Sequence, residues 1–349
     1  MKLLFLYSEL MGYTLSTSKK LVKYGYEVHI VHWDHKKLSN YEPEINNDIT
    51  LYNRSKMNYN DLKKLALDLN PEILVVSGWL DSEYLRIARS FIKIDKKTVC
   101  ALDNQWENSL KQYLLSVLSK FGLFNLFFSH FWVPGEKQYN YVKKLNVKDC
   151  KIIFDFYSAE IILFQNSYNN CKIIKQKRYP HTFYYVGRIE KVKGIETLTA
   201  AWKELGDDRG DWELNLIGNG SYVDSLRNIK GLNIFDFLQP EKLVEEIQKM
   251  GCFVLPSYDE PWGVVVHEFA AAGLPLLLSD QIGSKNTFFI ENFNGYCFQS
   301  KNVSSLLKCF KKIINSSDSE LEKLGENSNF LSNRITPETS AKNLLSLID

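Results

Sequence analysis

The chain is poor in the features that mark membrane, secreted and nucleic-acid-binding proteins. No run approaches 18 uncharged apolar residues, which excludes a membrane-spanning helix. The first apolar stretch ends at Tyr7, too short for the apolar core of a signal peptide, so the expected location is the cytosol. The six cysteines (Cys100, Cys150, Cys171, Cys252, Cys297, Cys309) form no Cys-x-x-Cys pair and read as reduced, packed thiols. An excess of one charge is also missing. Lys and Arg number 43 against 41 Asp and Glu, a net +2, without the bulk phosphate attraction on which a nucleic-acid partner would rely. No internal repeat has a fixed period. His29, His32 and His35 recur every three residues, which on a strand alternates faces and gathers no metal ion.

What is present is a globular chain of 349 residues, 45% hydrophobic, long enough for two domains. Apolar runs at residues 2–7, 27–33, 49–52, 72–77, 98–102, 127–133 and 151–154 read as strands. Amphipathic patterns at 17–24, 60–69, 81–91 and 136–145 read as helices between them. The alternation fades over 157–180, a linker by composition, and then resumes with strands at 182–186, 212–217, 233–238, 252–256 and 276–279. Such βα series predict parallel sheets covered on both faces. The expected division is residues 1–165, 166–325 and a final helical segment 326–349. The class is α/β, with two Rossmann-like parallel-sheet domains facing a cleft, where ligands meet strand C-termini.

Three segments carry chemistry. In the first, a buried strand ends at Pro256, a polar turn holds Glu260, and a helix enters near Gly263 and stops at Gly273 and Pro275. The start of that helix, with the N–H groups of Gly263, Val264 and Val265, presents about half a unit of positive charge, suited to phosphate. Glu260 before the helix and Glu268 within it can bracket a ligand, and carboxylates accept sugar hydroxyls. The second segment places Arg188 and Lys193, five residues apart, in a βα loop, matching the two charges of a diphosphate. The third is a strand ending in Gly218-Asn219-Gly220. It lacks the third glycine of the dinucleotide fingerprint, so no NAD site is expected.

In this order and spacing, residues 182–300 resemble the C-terminal domain of the retaining nucleotide-sugar glycosyltransferases of glycosyltransferase family four, which have the GT-B fold. The resemblance implies that Arg188 and Lys193 hold the donor diphosphate and that Glu268 binds the ribose. It assigns Glu260 to the transferred sugar, and the backbone of Gly263, Val264 and Val265 to a cap on the phosphate. A close backbone approach to the donor is expected at Gly218 and Gly220. The donor would be a nucleotide diphosphate sugar, UDP-linked by family frequency. No further cofactor and no metal are expected, since no plausible loop carries Asp-x-Asp.

The first half matches less sharply. Its loop after the first strand has one glycine, Gly12, a candidate for donor approach. The strand ends at Trp79 and at Asp103-Asn104-Gln105-Trp106 set polar groups beside aromatic rings, as a saccharide acceptor site requires; core packing is the other reading of both tryptophans. Asp103 stands where many such enzymes have His. The stretch 110–132 reads either as a buried helix followed by a core strand, or as a helix in a membrane interface meeting a lipid-linked saccharide acceptor. The expected function is a glycosyltransferase of cell-surface polysaccharide biosynthesis. An inactive nucleotide-sugar-binding assembly partner and a sugar-nucleotide epimerase are the alternatives.

Overall fold

The computed structural model describes residues 1–34, 41 and 48–348, so His35 lies outside the described residues. The chain divides into two compact units. One comprises Met1–Ser158 and the chain from Ile335; the other is Ala159–Arg334.

The first unit runs β1 (Lys2–Tyr7), α1 (Gly12–Lys23), β2 (Glu27–His32), β3 (Ile49–Asn53), α2 (Tyr59–Leu69), β4 (Ile73–Ser77), α3 (Ser82–Ile92), β5 (Lys97–Ala101), α4 (Leu110–Lys120), β6 (His130–Trp132), α5 (Glu136–Lys144) and β7 (Ile152–Ile153). Every strand pair is parallel, in the order β3-β2-β1-β4-β5-β6-β7. The central strands are apolar on both faces because helices cover both: Leu3, Leu4 and Leu6 of β1 and Ile73, Leu74 and Val75 of β4 are fully buried.

The second unit runs α6 (Ile161–Lys177), β8 (Thr182–Val186), α7 (Ile195–Leu205), β9 (Glu213–Ile217), α8 (Val223–Leu226), β10 (Leu232–Phe235), α9 (Pro240–Glu246), β11 (Cys252–Leu255), α10 (Val264–Ala271), β12 (Leu276–Ser279), α11 (Lys285–Phe288), β13 (Gly295–Phe298), α12 (Val303–Ile314) and α13 (Asp318–Ser332). Its parallel sheet is ordered β10-β9-β8-β11-β12-β13. In both sheets the chain reverses its direction of winding beside the first strand, between β1 and β4 and again between β8 and β11. The loops beyond these strand ends diverge there and leave a crevice.

Several expectations need correcting. The stretch expected as a linker is mostly α6, whose Phe164 and Cys171 are buried; its Asn and Lys residues hid the pattern. The domain limits expected at 165 and 325 fall inside α6 and α13, and the chain re-enters the first unit only at Ile335. There α14 (Pro337–Leu345) packs on α1, with Thr17 Oγ1 donating to Ser340 Oγ at 3.2 Å and Asn343 Nδ2 donating to Asp155 Oδ2 at 2.9 Å. The strand expected over 127–133 shrinks to β6, because Phe127 N and Phe128 N donate back to Phe124 O, closing the 3-10 turn Phe124–Leu126 and keeping those residues off the sheet. Helix α1 begins at Gly12, so that glycine opens a helix instead of sitting in a loop.

Candidate functional site

Beyond the ends of β8 and β11 lies a pocket of about 210 Å3, lined by Arg188, Lys193, Glu260, Gly263, Val264 and Val265 together with Tyr185 and Leu255. Six of the residues singled out in the sequence thus meet in one place. Arg188 is exposed and forms no ion pair with the described residues, which leaves its five donors for a ligand. Lys193 and Glu260 are mostly buried, at 17% and 12% side-chain exposure, and Lys193 Nζ lies 2.7 Å from Glu260 Oε2. Ser257 Oγ donates to the same oxygen at 3.1 Å.

Backbone geometry fixes these side chains. Gly194 turns the chain at φ +74 into α7, and a Cβ there would stand 1.9 Å from the Pro256 carbonyl oxygen, so only glycine lets the Lys193 loop lie against the end of β11. The loop holding Glu260 is tied to the next crossover: Gly283 N donates to Glu260 O at 2.9 Å and Ser284 Oγ donates to Gly263 O at 3.1 Å. Gly263, at φ +87, opens α10, and Val264 and Val265, at positions whose N–H groups have no i−4 partner in the helix, line the pocket with it. The three valines there are held by packing; Val266 is fully buried. Within the same helix His267 is buried, accepting at Nδ1 from Ala159 N at 3.2 Å and donating from Nε2 to Ser332 O at 2.8 Å.

Other residues lie apart from this pocket. Glu268 does not line it. Burial, with Glu160 adding its charge, pushes the Glu268 carboxyl up to about 7. Gly218 and Gly220 also stand outside; Cβ atoms on them would come within 2.0 Å of Gly187 O and 2.2 Å of Ile189 O, so they let β9 support the Arg188 loop. Gly12, at the start of α1, lines neither described pocket.

The first unit has its own pocket, about 470 Å3, beyond β1, β4 and β5. Trp79, Asp103 and Asn104 line it, with Glu9, Tyr13 and Tyr157. Tyr157 donates its hydroxyl to Asp103 Oδ2 at 2.7 Å, and its ring meets that of Tyr13 at 4.3 Å. Burial, with Asp103 nearby, raises both phenols well above their usual range, so they stay protonated donors. Sequence reading missed both: Tyr157 falls where the pattern fades, and Tyr13 inside a helix start. Trp106 lies off this pocket, stacked edge-on against Tyr113 and Tyr141. Among the described residues no group of His, Cys, Asp and Glu could hold a metal ion.

Two parallel sheets in this strand order, one of them with cations and a helix N-terminus at its switch point, define a doubly wound α/β protein with a pocket suited to an anionic ligand. Residues 170–329, a little under half of the chain, match the family model described as glycosyl transferases group 1. It is 25% identical over 198 residues to an uncharacterized glycosyltransferase of Haemophilus influenzae, covering 52% of this chain and 56% of that one, and so spans about half that relative's length. With the capsular polysaccharide biosynthesis glycosyltransferase CapM of Staphylococcus aureus it shares 24% identity over 88% of this chain and 85% of the other. The crystal structure of Anabaena HepE in complex with UDP matches 99% of both chains with a TM-score of 0.76 at 14% identity. The fold is that of the GT-B glycosyltransferases.

Proposed function

We propose that the protein is a retaining, metal-independent glycosyltransferase that moves a sugar from a UDP-sugar to a saccharide or lipid-linked saccharide in cell-surface polysaccharide biosynthesis. The observation that carries this reading is the convergence of Arg188, Lys193, Glu260 and the first turn of α10 on one pocket at a switch point. Arg188 and Lys193 would bind the diphosphate and the N–H groups of Val264 and Val265 would cap it. Glu260, already held by Lys193 and Ser257, would accept from the sugar. Glu268, outside the lining of this pocket, would take the ribose hydroxyls of a nucleoside extending beyond it along α10. Each charge-assisted hydrogen-bond set contributes about 1.5–3 kcal/mol and the helix end up to about 1 kcal/mol. Together they stabilise the leaving diphosphate by about 4–7 kcal/mol, worth three to five orders of magnitude in rate. That positive charge does the work a divalent cation would otherwise do. HepE binds UDP and CapM serves capsular polysaccharide, which supports the donor and the pathway class. Trp79, Asp103 and Asn104 supply a ring face and polar groups for the acceptor.

The test is a thermal-shift screen of UDP, GDP, ADP and CMP and their common sugar conjugates on the wild type and Arg188→Ala. A UDP or UDP-sugar shift that disappears in the variant is expected; no shift with any nucleotide sugar would overturn the reading. Turnover that survives EDTA, and an NMR product with the donor's anomeric configuration, are the further expectations.

A further inference from the structure

Helix α4 is inside out. Its inward side is mostly polar, with Leu115 the one apolar residue packed toward the core: Gln112 and Ser119 are buried, Gln112 Nε2 donates to Gln105 O at 2.9 Å, and Glu107 N donates to Gln112 Oε1 at 2.7 Å. Ser116 Oγ donates to Lys144 O at 2.6 Å, and Asn146 Nδ2 donates to Ser119 Oγ at 3.3 Å. Its outward side carries Leu110, Tyr113, Leu114, Val117, Leu118 and Phe121, with Leu110 88% and Phe121 85% exposed. The buried-helix alternative for this stretch is therefore wrong: the 3.6-residue period is there, but the apolar face points away from the core. A contiguous apolar face of this kind marks an interaction surface.

Charge selects the occupant. No carboxylate occurs between Glu107 and Glu136, whereas Lys111 and Lys120 sit near the two ends of the helix. Lys144, whose carbonyl receives Ser116, and Lys151, which donates to Asn125, are cations on the neighbouring segments. The nearby Asp149 is neutralised by Lys143 at 2.8 Å. No helix among the described residues is long and apolar enough to cross a membrane. A short helix with an apolar face rimmed by lysines lies in the plane of an anionic lipid surface.

We infer that the outward face of α4 docks the first unit on an anionic bilayer. The same helix walls the 470 Å3 pocket through Lys111, Gln112 and Leu115, so docking brings that pocket to the lipid surface. On the function proposed above, on which this last step rests, the acceptor is then a saccharide carried on a lipid.

The experiment is co-sedimentation of the full-length protein with vesicles of phosphatidylglycerol and phosphatidylcholine, and with phosphatidylcholine alone. The wild type should pellet with the anionic vesicles. The double variant Leu114→Asn/Phe121→Asn should partition roughly tenfold or more less strongly, and Lys120→Glu should bind more weakly, with high salt weakening the wild type likewise. Wild-type protein that stays in the supernatant, or a double variant that binds as the wild type does, would overturn the inference. So would a wild-type dimer in analytical ultracentrifugation that the double variant converts to monomer without either binding vesicles, since the face would then be covered by a second copy. A UDP thermal shift on the same variants separates the two claims: the shift needs no vesicle, and vesicle binding needs no donor.

Discussion

Lys193 Nζ lies 2.7 Å from Glu260 Oε2, a contact between residues 67 positions apart that joins the loop after β8 to the loop after β11. Both side chains are largely shielded from water, so each neutralises a charge that would be costly alone. On the proposed function, a diphosphate entering the pocket would meet a lysine already oriented by a carboxylate.

Lys193→Ala should therefore affect both stability and turnover. Glu260 would keep only the Ser257 hydroxyl as donor, at about 1–3 kcal/mol in stability, and the loss of a cation at the leaving group should lower kcat by about 10²–10³. Glu260→Gln, which leaves the shielded Lys193 ammonium with only a neutral amide oxygen, should also lower stability, by about 1–3 kcal/mol, together with turnover. Urea denaturation and an assay of UDP release from a UDP-sugar check the two effects separately.

Glu268 should make stability fall as pH rises. The carboxyl titrates near 4.5 in an ordinary setting and near 7 here, so between those values the folded chain holds a proton that the unfolded chain has released. The stabilisation is complete below about pH 4.5 and is lost as the pH passes 7, by on the order of 2 kcal/mol. Glu268→Gln should remove this slope in denaturation curves taken at pH 5 and pH 8.

Lys175 should act in the opposite sense in the next window. Burial holds its amine down to about 7 against an ordinary 10.5, while its Nζ donates to Met250 O at 2.8 Å. The unfolded chain binds the extra proton between those values, so stability rises from about pH 7 to about pH 10, by on the order of 3 kcal/mol. Lys175→Met should flatten that rise. Together the two groups contribute a shallow stability minimum near neutrality, visible as a dip in Tm against pH that each variant removes from one side.

Gly218→Ala tests support at a distance. The added methyl would lie 2.0 Å from Gly187 O, and the backbone at φ +143 already strains any side chain. Displacing the Gly187-Arg188 turn should weaken UDP binding roughly tenfold, about 1.4 kcal/mol, although Gly218 does not line the pocket. Calorimetric titration with UDP reads this, and a near-wild-type affinity would show that the loop adjusts.

Much of the site was legible in the sequence because its parts are local. Arg188 and Lys193 share one loop, and Glu260 and Gly263 share one turn; a strand, a polar turn and a helix start can be read over a dozen residues. Glu268 was legible as a residue but not as an environment, since nothing nearby in the chain announces Glu160 beside it. Tyr157 was invisible because its partner Asp103 is 54 residues away and its own surroundings carry no periodicity. Gly218 and Gly220 were recognised, yet what approaches them is the backbone of the Arg188 loop.

By itself the sequence determined the alternation of strands and helices through most of both units and the parallel character of both sheets. Strands buried on both faces must be written as continuous apolar runs, and glycines and prolines stop them in place. Only the tertiary structure decided which side of α4 meets the core, that α6 replaces a linker, and that Lys193 pairs with Glu260. Periodicity shows that a helix has two unlike faces. Which face is covered depends on neighbours distant in sequence, and for α4 those neighbours offer hydrogen bonds to its polar residues and leave the apolar ones outside.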